Sequence, residues 1–128
     1  MPCTEPRPGA HRRGAALLLA LLVAPTARAD AGIGYASVAR ARAALVEPAG
    51  ARSVEIAGWT VVDDAASPAH TRWSFAPRSH PAYPALVRRD LVQRDGVPTL
   101  VTWFLCEGRR APCEALYAGL RAGSVDVP

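Results

Sequence analysis

Outside the first thirty positions the chain has two histidines, His70 and His80, the side chains whose charge most readily changes near neutral pH. Ser67, Ser74 and Ser79 lie near them in sequence. Nucleophilic catalysis needs a hydroxyl or thiol with a base held beside it, and no glycine-flanked elbow surrounds any of these serines. Metal binding would have to draw on His70, His80, Asp63, Asp64 and Glu107, yet no H-x-H, H-x-x-x-H or clustered cysteine spacing occurs. Adjacent acidic residues at the end of an extended run, as at Asp63-Asp64, suit turn chemistry better than a ligand set. No catalytic residue, metal or cofactor is therefore assigned. A small hydrolase or metal-dependent enzyme centred on His80, beside Ser79 and Arg78, stands as the alternative reading.

Recognition chemistry is better represented. Trp73, Phe75, Arg78, His80 and Tyr83 fall within one stretch that also carries Pro77, Pro81 and Pro84. Each proline fixes its own backbone and holds the preceding residue extended, so this is a stiff loop. A stiff loop loses little entropy on meeting a partner. The same aromatics could instead complete a core, since Trp and Tyr serve interiors and interfaces alike. Tyr83-Pro84 is a candidate cis bond.

A second set comes from strand pairing. Asp95-Gly96 sits between two strand-like runs, Ala85 to Arg94 and Val97 to Cys106, as a two-residue hairpin turn. With Arg94 opposite Val97, one face carries Leu91/Leu100, Arg89/Thr102, Val87/Phe104 and Ala85/Cys106. The other carries Val92/Thr99, Asp90/Val101, Arg88/Trp103 and Leu86/Leu105. The first is the more apolar and reads as the core face. On the second, Arg88 and Trp103 are directly opposed, close enough for a cation over an indole. The candidate binding residues are accordingly Trp73, Arg78, His80, Tyr83, Arg88 and Trp103. They suit a binding or interaction module; an inhibitor that inserts the proline-rich loop into another enzyme's cleft would use the same surface.

The elements that hold these residues follow from pattern. Ser37 is a suitable N-cap, and Val38, Ala41, Ala44 and Leu45 recur at helical spacing until Glu47-Pro48. From Ser53 to Asp63 the period is two, with a phase change at Gly58 that fits a β-bulge or a tight turn. A loop runs from Asp64 to His70, and Thr71 to Phe75 is extended, with Trp73 and Phe75 on one side. After the hairpin, Pro112 can open a helix that packs through Leu116, Tyr117 and Leu120 and weakens at Gly119 and Gly123. The expected fold is α+β: an antiparallel four-stranded sheet, covered on one side, flanked by an N-terminal and a C-terminal helix in the order α-β-β-β-β-α, with one disulfide.

Compartment is read from the N-terminus. Arg7, His11, Arg12 and Arg13 precede an uncharged run, Gly14 to Ala24, that ends at Pro25 before Ala27-Arg28-Ala29. Positive flank, apolar core and A-x-A site come in the order of a secretory signal. The run is about half of the roughly 20 residues needed to span a bilayer, so an integral span in the mature chain is not expected. Cleavage after Ala29 leaves a single domain over residues 30–128. The formal charge of the chain is +4, but the leader takes four arginines and one glutamate with it, and the remainder is nearly neutral. A neutral domain lacks the field that nucleic acid requires. Its partner would then be an envelope protein or a small ligand, in the periplasm or outside the cell. Cys106 and Cys113 remain once Cys3 is removed, and an even count in an exported protein reads as a disulfide.

Gly58-Trp59-Thr60, Trp73-Ser74-Phe75-x-Pro77, His80-Pro81-Ala82-x-Pro84-Ala85 and Leu105-Cys106-Glu107 with Cys113 together resemble small uncharacterised exported proteins of Gram-negative bacteria. The likeness runs from about Tyr35 to Leu120. It implies a periplasmic location and a paired Cys106–Cys113, and it carries no catalytic assignment.

Overall fold

Local sequence sets the first helix and a distant residue completes its cap. In the computed structural model, which describes residues 32–128, α1 spans Val38–Leu45, and the Ser37 hydroxyl accepts from the Arg40 N–H at 3.1 Å. The Val38 N–H, one of the donors a helix start leaves open, is taken by Glu107 Oε2 at 3.0 Å. The expected leader over residues 1–29 lies outside the described residues. Among those described, no helix is long and apolar enough to cross a membrane.

Five strands follow: β1 (Ser53–Ile56), β2 (Trp59–Asp64), β3 (Thr71–Phe75), β4 (Ala85–Arg94) and β5 (Val97–Cys106). They form one antiparallel sheet in the order β1-β2-β3-β4-β5, and α2 (Arg110–Ala122) closes the chain order before Gly123 turns left-handed. The α+β class stands, and the strand count is corrected from four to five. The run Ser53 to Asp63 is a hairpin instead of one strand, because Ala57 and Gly58 both take positive φ, 48° and 82°, as a two-residue turn with right-handed twist demands. That turn pairs Ile56 with Trp59 and Val54 with Val61, which puts all four on one face across the phase change.

Alanine is poorly suited to this conformation, since its Cβ crowds the following carbonyl at a cost of about 1–2 kcal/mol. Ala57→Gly is therefore expected to stabilise the protein by roughly 0.5–1 kcal/mol, less the extra freedom glycine gives the unfolded chain, with a small rise in Tm. A fall in Tm would show that the turn tolerates the methyl group without strain.

The β4–β5 hairpin has the expected register throughout, from Arg94↔Val97 to Ala85↔Cys106, on a turn with Asp95 and Gly96 at φ 51° and 77°. The disulfide joins Cys106 at the end of β5 to Cys113 in the first turns of α2, with Cα atoms 5.8 Å apart. The Tyr83–Pro84 bond is cis.

Both sheet faces are covered, which corrects the one-sided expectation. On one face α1 and the segment before it bring Ile33, Val38 and Ala41 onto Val62, Trp73, Phe75 and Leu86. On the other, Leu116 of α2 and Val127 of the C-terminal segment pack with Ala76 and Ala82 on Trp59, Val61, Ala85 and Val87. With both helices engaged on opposite sides, β4 alternates between two interiors and reads as a run of buried residues over Ala85–Val87.

Candidate functional site

The six candidate residues separate into three places. Trp73, Arg88 and Trp103 meet on the α1 face, joined by a residue the sequence reading had not singled out, Asp90. Thr71 lies opposite Asp90, and Trp73 opposite Arg88, across the β3–β4 pairing. Asp90 Oδ1 accepts from Thr71 Oγ1 at 2.8 Å and from Arg88 Nε at 2.9 Å, while Oδ2 accepts from Trp103 Nε1 at 3.1 Å. The remaining reach of the guanidinium goes to the Gly32 carbonyl at 3.2 Å. Arg88 does stack on an indole, but the ring beneath it is Trp73, 5.0 Å from its centroid, and not the expected Trp103. Tyr35 closes the far side edge-on to Trp73 at 5.4 Å.

Asp90 is only 6 % exposed. Burial pushes its carboxyl up, but the hydrogen bonds from Arg88, Thr71 and Trp103 together with the nearby Arg88 charge outweigh that and hold it below its usual range. A carboxylate engaged by three donors is a poor base, and its positions are fixed by partners on three strands. Trp73 is buried; Trp103 keeps 36 % exposure and packs against Gly32, where any side chain would collide with the indole.

Arg78 and Tyr83 form the second place. The Arg78 guanidinium lies over the Tyr83 ring, 5.8 Å from its centroid, and Tyr83 is about one-third exposed. Tyr83 also edges a cleft of about 210 Å³ between α1, the end of β3 and the start of the β5–α2 connection. Arg42 crosses this cleft over the Phe75 ring at 5.8 Å, and Glu47 and Glu107 bring carboxylates to it. Of its two aromatics, Tyr83 comes from the proline-rich segment and Phe75 from the end of β3. Arg42 on α1 and Glu107 after β5 are both exposed and far apart in sequence, and only the tertiary fold brings them to one cleft.

His80 is the third place, on the α2 side. Its ring meets Trp59 edge-on at 5.2 Å, and Nδ1 accepts the Ala82 N–H at 3.1 Å. Among the described residues no side chain hydrogen-bonds to this imidazole, and no three His, Cys, Asp or Glu residues are grouped so as to hold a metal. At the opposite end, Asp63 is held below its usual range by the Arg72 hydrogen bond, and Asp64 Oδ1 caps the N–H groups of Ala66 and Ser67. Both carboxylates are thus committed to local structure. No protein-family model, characterised protein or solved structure matches this chain.

Proposed function

We propose that this is a small binding module of the cell envelope, exported by its N-terminal leader and working in the periplasm, and that the Arg42–Phe75–Tyr83–Glu107 cleft with Arg78 at its rim is the contact surface. The observation that carries the reading is the pair of guanidinium–aromatic stacks, Arg42 on Phe75 and Arg78 on Tyr83, around one cleft. Tyrosine and arginine are the side chains most often found at the energetic centres of interfaces. Size favours a protein partner over a metabolite: about 210 Å³ falls short of the roughly 300–1,000 Å³ typical of small-molecule sites, and it suits one or two inserted side chains. With arginines and glutamates on one rim, the fitting segment carries an apolar side chain beside groups of both charges. The resemblance to small exported Gram-negative proteins supports the same compartment.

Capture from periplasmic extract tests this directly. Proteins retained by the wild type should be depleted about tenfold or more with Arg78→Ser/Tyr83→Ser, two exposed positions that leave both cores intact. Equal retention by the two folded proteins would remove the cleft from consideration.

A further inference from the structure

The sheet ends in two edges of different character. β1 is short, Ser53–Ile56, and carries Glu55; β5 runs ten residues, Val97–Cys106, without a single charged side chain. Long uncharged edges invite pairing, and natural proteins usually blunt them with charges, brevity or a covering segment. Among the described residues the only such device on β5 is Pro98, near one end.

The phase of the edge is fixed. Glu107 N–H donates to the Pro84 carbonyl at 2.9 Å, continuing the β4–β5 ladder, so odd-numbered positions of β5 turn their peptide groups toward β4. Even-numbered positions turn theirs outward: Leu100, Thr102, Phe104 and Cys106 offer both N–H and C=O, and Pro98 offers a carbonyl. Among the described residues no backbone partner reaches these groups. Leu100 is 59 % exposed, and a notch of about 170 Å³ lined by Thr102, Phe104, Tyr117, Leu120 and Arg121 lies beside the same edge on the α2 face.

We propose that β5 is a dimerisation edge: two copies of this chain pair their β5 strands antiparallel about a two-fold axis at Thr102, extending one sheet through both. The side chains select the second copy as occupant. In this register Leu100 faces Phe104 of the second copy on the α2 face, and the symmetric contact repeats it, so each exposed leucine enters the other copy's notch. On the α1 face Val101 covers the open part of the second copy's Trp103. Thr102 meets itself. Along the paired strands apolar side chains meet apolar ones and β5 itself opposes no charge to its copy, as a self-complementary two-fold contact requires. Moving the axis to Leu100 or Phe104 runs outward donors past the strand end. The cleft proposed above is not part of this contact, so the two readings stand or fall separately.

Sedimentation equilibrium of the exported, purified protein should give twice the mass of one chain. Leu100→Lys, and separately Thr102→Lys, which places like charges face to face at the axis, should raise the dimer dissociation constant about tenfold or more while leaving far-UV circular dichroism unchanged. Both positions are exposed, and if one variant misfolds the other is read. In a mixture of isotope-labelled and unlabelled protein, nuclear Overhauser effects should link Leu100 methyls to the Phe104 ring of the other copy. A monomer at all concentrations overturns the proposal, whether its Leu100, Thr102 and Phe104 amides exchange freely or are protected by another part of the same chain. So does a dimer that both substitutions leave intact.

Discussion

Asp90→Ala is expected to destabilise the protein by about 3–5 kcal/mol, the cost of leaving a partly buried charge without its partner. Arg88 would keep its place over Trp73 with only the Gly32 carbonyl to accept from it, and the Thr71 hydroxyl and Trp103 indole N–H would lose their common acceptor. The pair itself contributes less than this figure, because burying both charges has already cost most of their attraction. Arg88→Met/Asp90→Leu should therefore be more stable than Asp90→Ala alone, and a double-mutant cycle on urea midpoints would measure the coupling. The pH dependence has a definite sign. A carboxyl held below its unfolded value of 3.8 contributes stability that is complete above that value and is lost as pH falls through the lower folded one. Wild type should thus weaken below about pH 4, and Asp90→Ala should show a shallower acid limb, retaining the contribution of Asp63. A loss below about 1 kcal/mol, with an unchanged acid limb, would mean that solvent reaches Asp90 and that the network adds little.

The contrast between the two hairpins shows how far local sequence reaches. Asp95-Gly96 announces itself because aspartate and glycine both tolerate positive φ, and once the turn is placed the whole β4–β5 register follows. Ala57-Gly58 makes the same kind of turn, but alanine has no such preference, so the sequence shows only a phase change and reads as one strand where two lie. Ser37 caps α1 and Gly123 ends α2 for the same local reasons, but α2 opens at Arg110, two residues before the expected Pro112, behind an Arg109 that makes no side-chain cap. Asp90 was hidden because its role depends on β3, which joins β4 through the proline-rich segment, and a connection of that length sets no register. With β3 in place, Trp73 lies opposite Arg88 and takes the cation that the hairpin alone would assign to Trp103. The second covered face was hidden too, since the sequence shows that Leu86 and Val87 are apolar but not that each has its own helix.

Removing the disulfide should be the other large loss. Cys106 and Cys113 are separated by seven positions, and closing so short a loop is worth about 2.5 kcal/mol when treated as lost freedom of the unfolded chain. For a domain of this size that corresponds to a Tm lower by roughly 10–20 °C. The folded side of the balance adds a constraint that the loop length does not capture. Gly108, inside the bridged loop, lies so close to the carbonyl oxygens of Ala82 and Tyr83 that a Cβ there would stand 2.6 and 2.7 Å from them. The same loop sends Glu107 to the Val38 N–H, so the bridge anchors the β5–α2 connection against both the proline-rich segment and the start of α1. Reduction with dithiothreitol and Cys106→Ala/Cys113→Ala should accordingly lower Tm by similar amounts and loosen α1 as well, seen as faster amide exchange at Val38 and Ala41. If exchange at α1 is unchanged while Tm falls by the expected amount, the bridge acts through the unfolded chain alone. If Tm itself hardly moves, the packing of Gly108 against the proline-rich segment already fixes this corner without the covalent link.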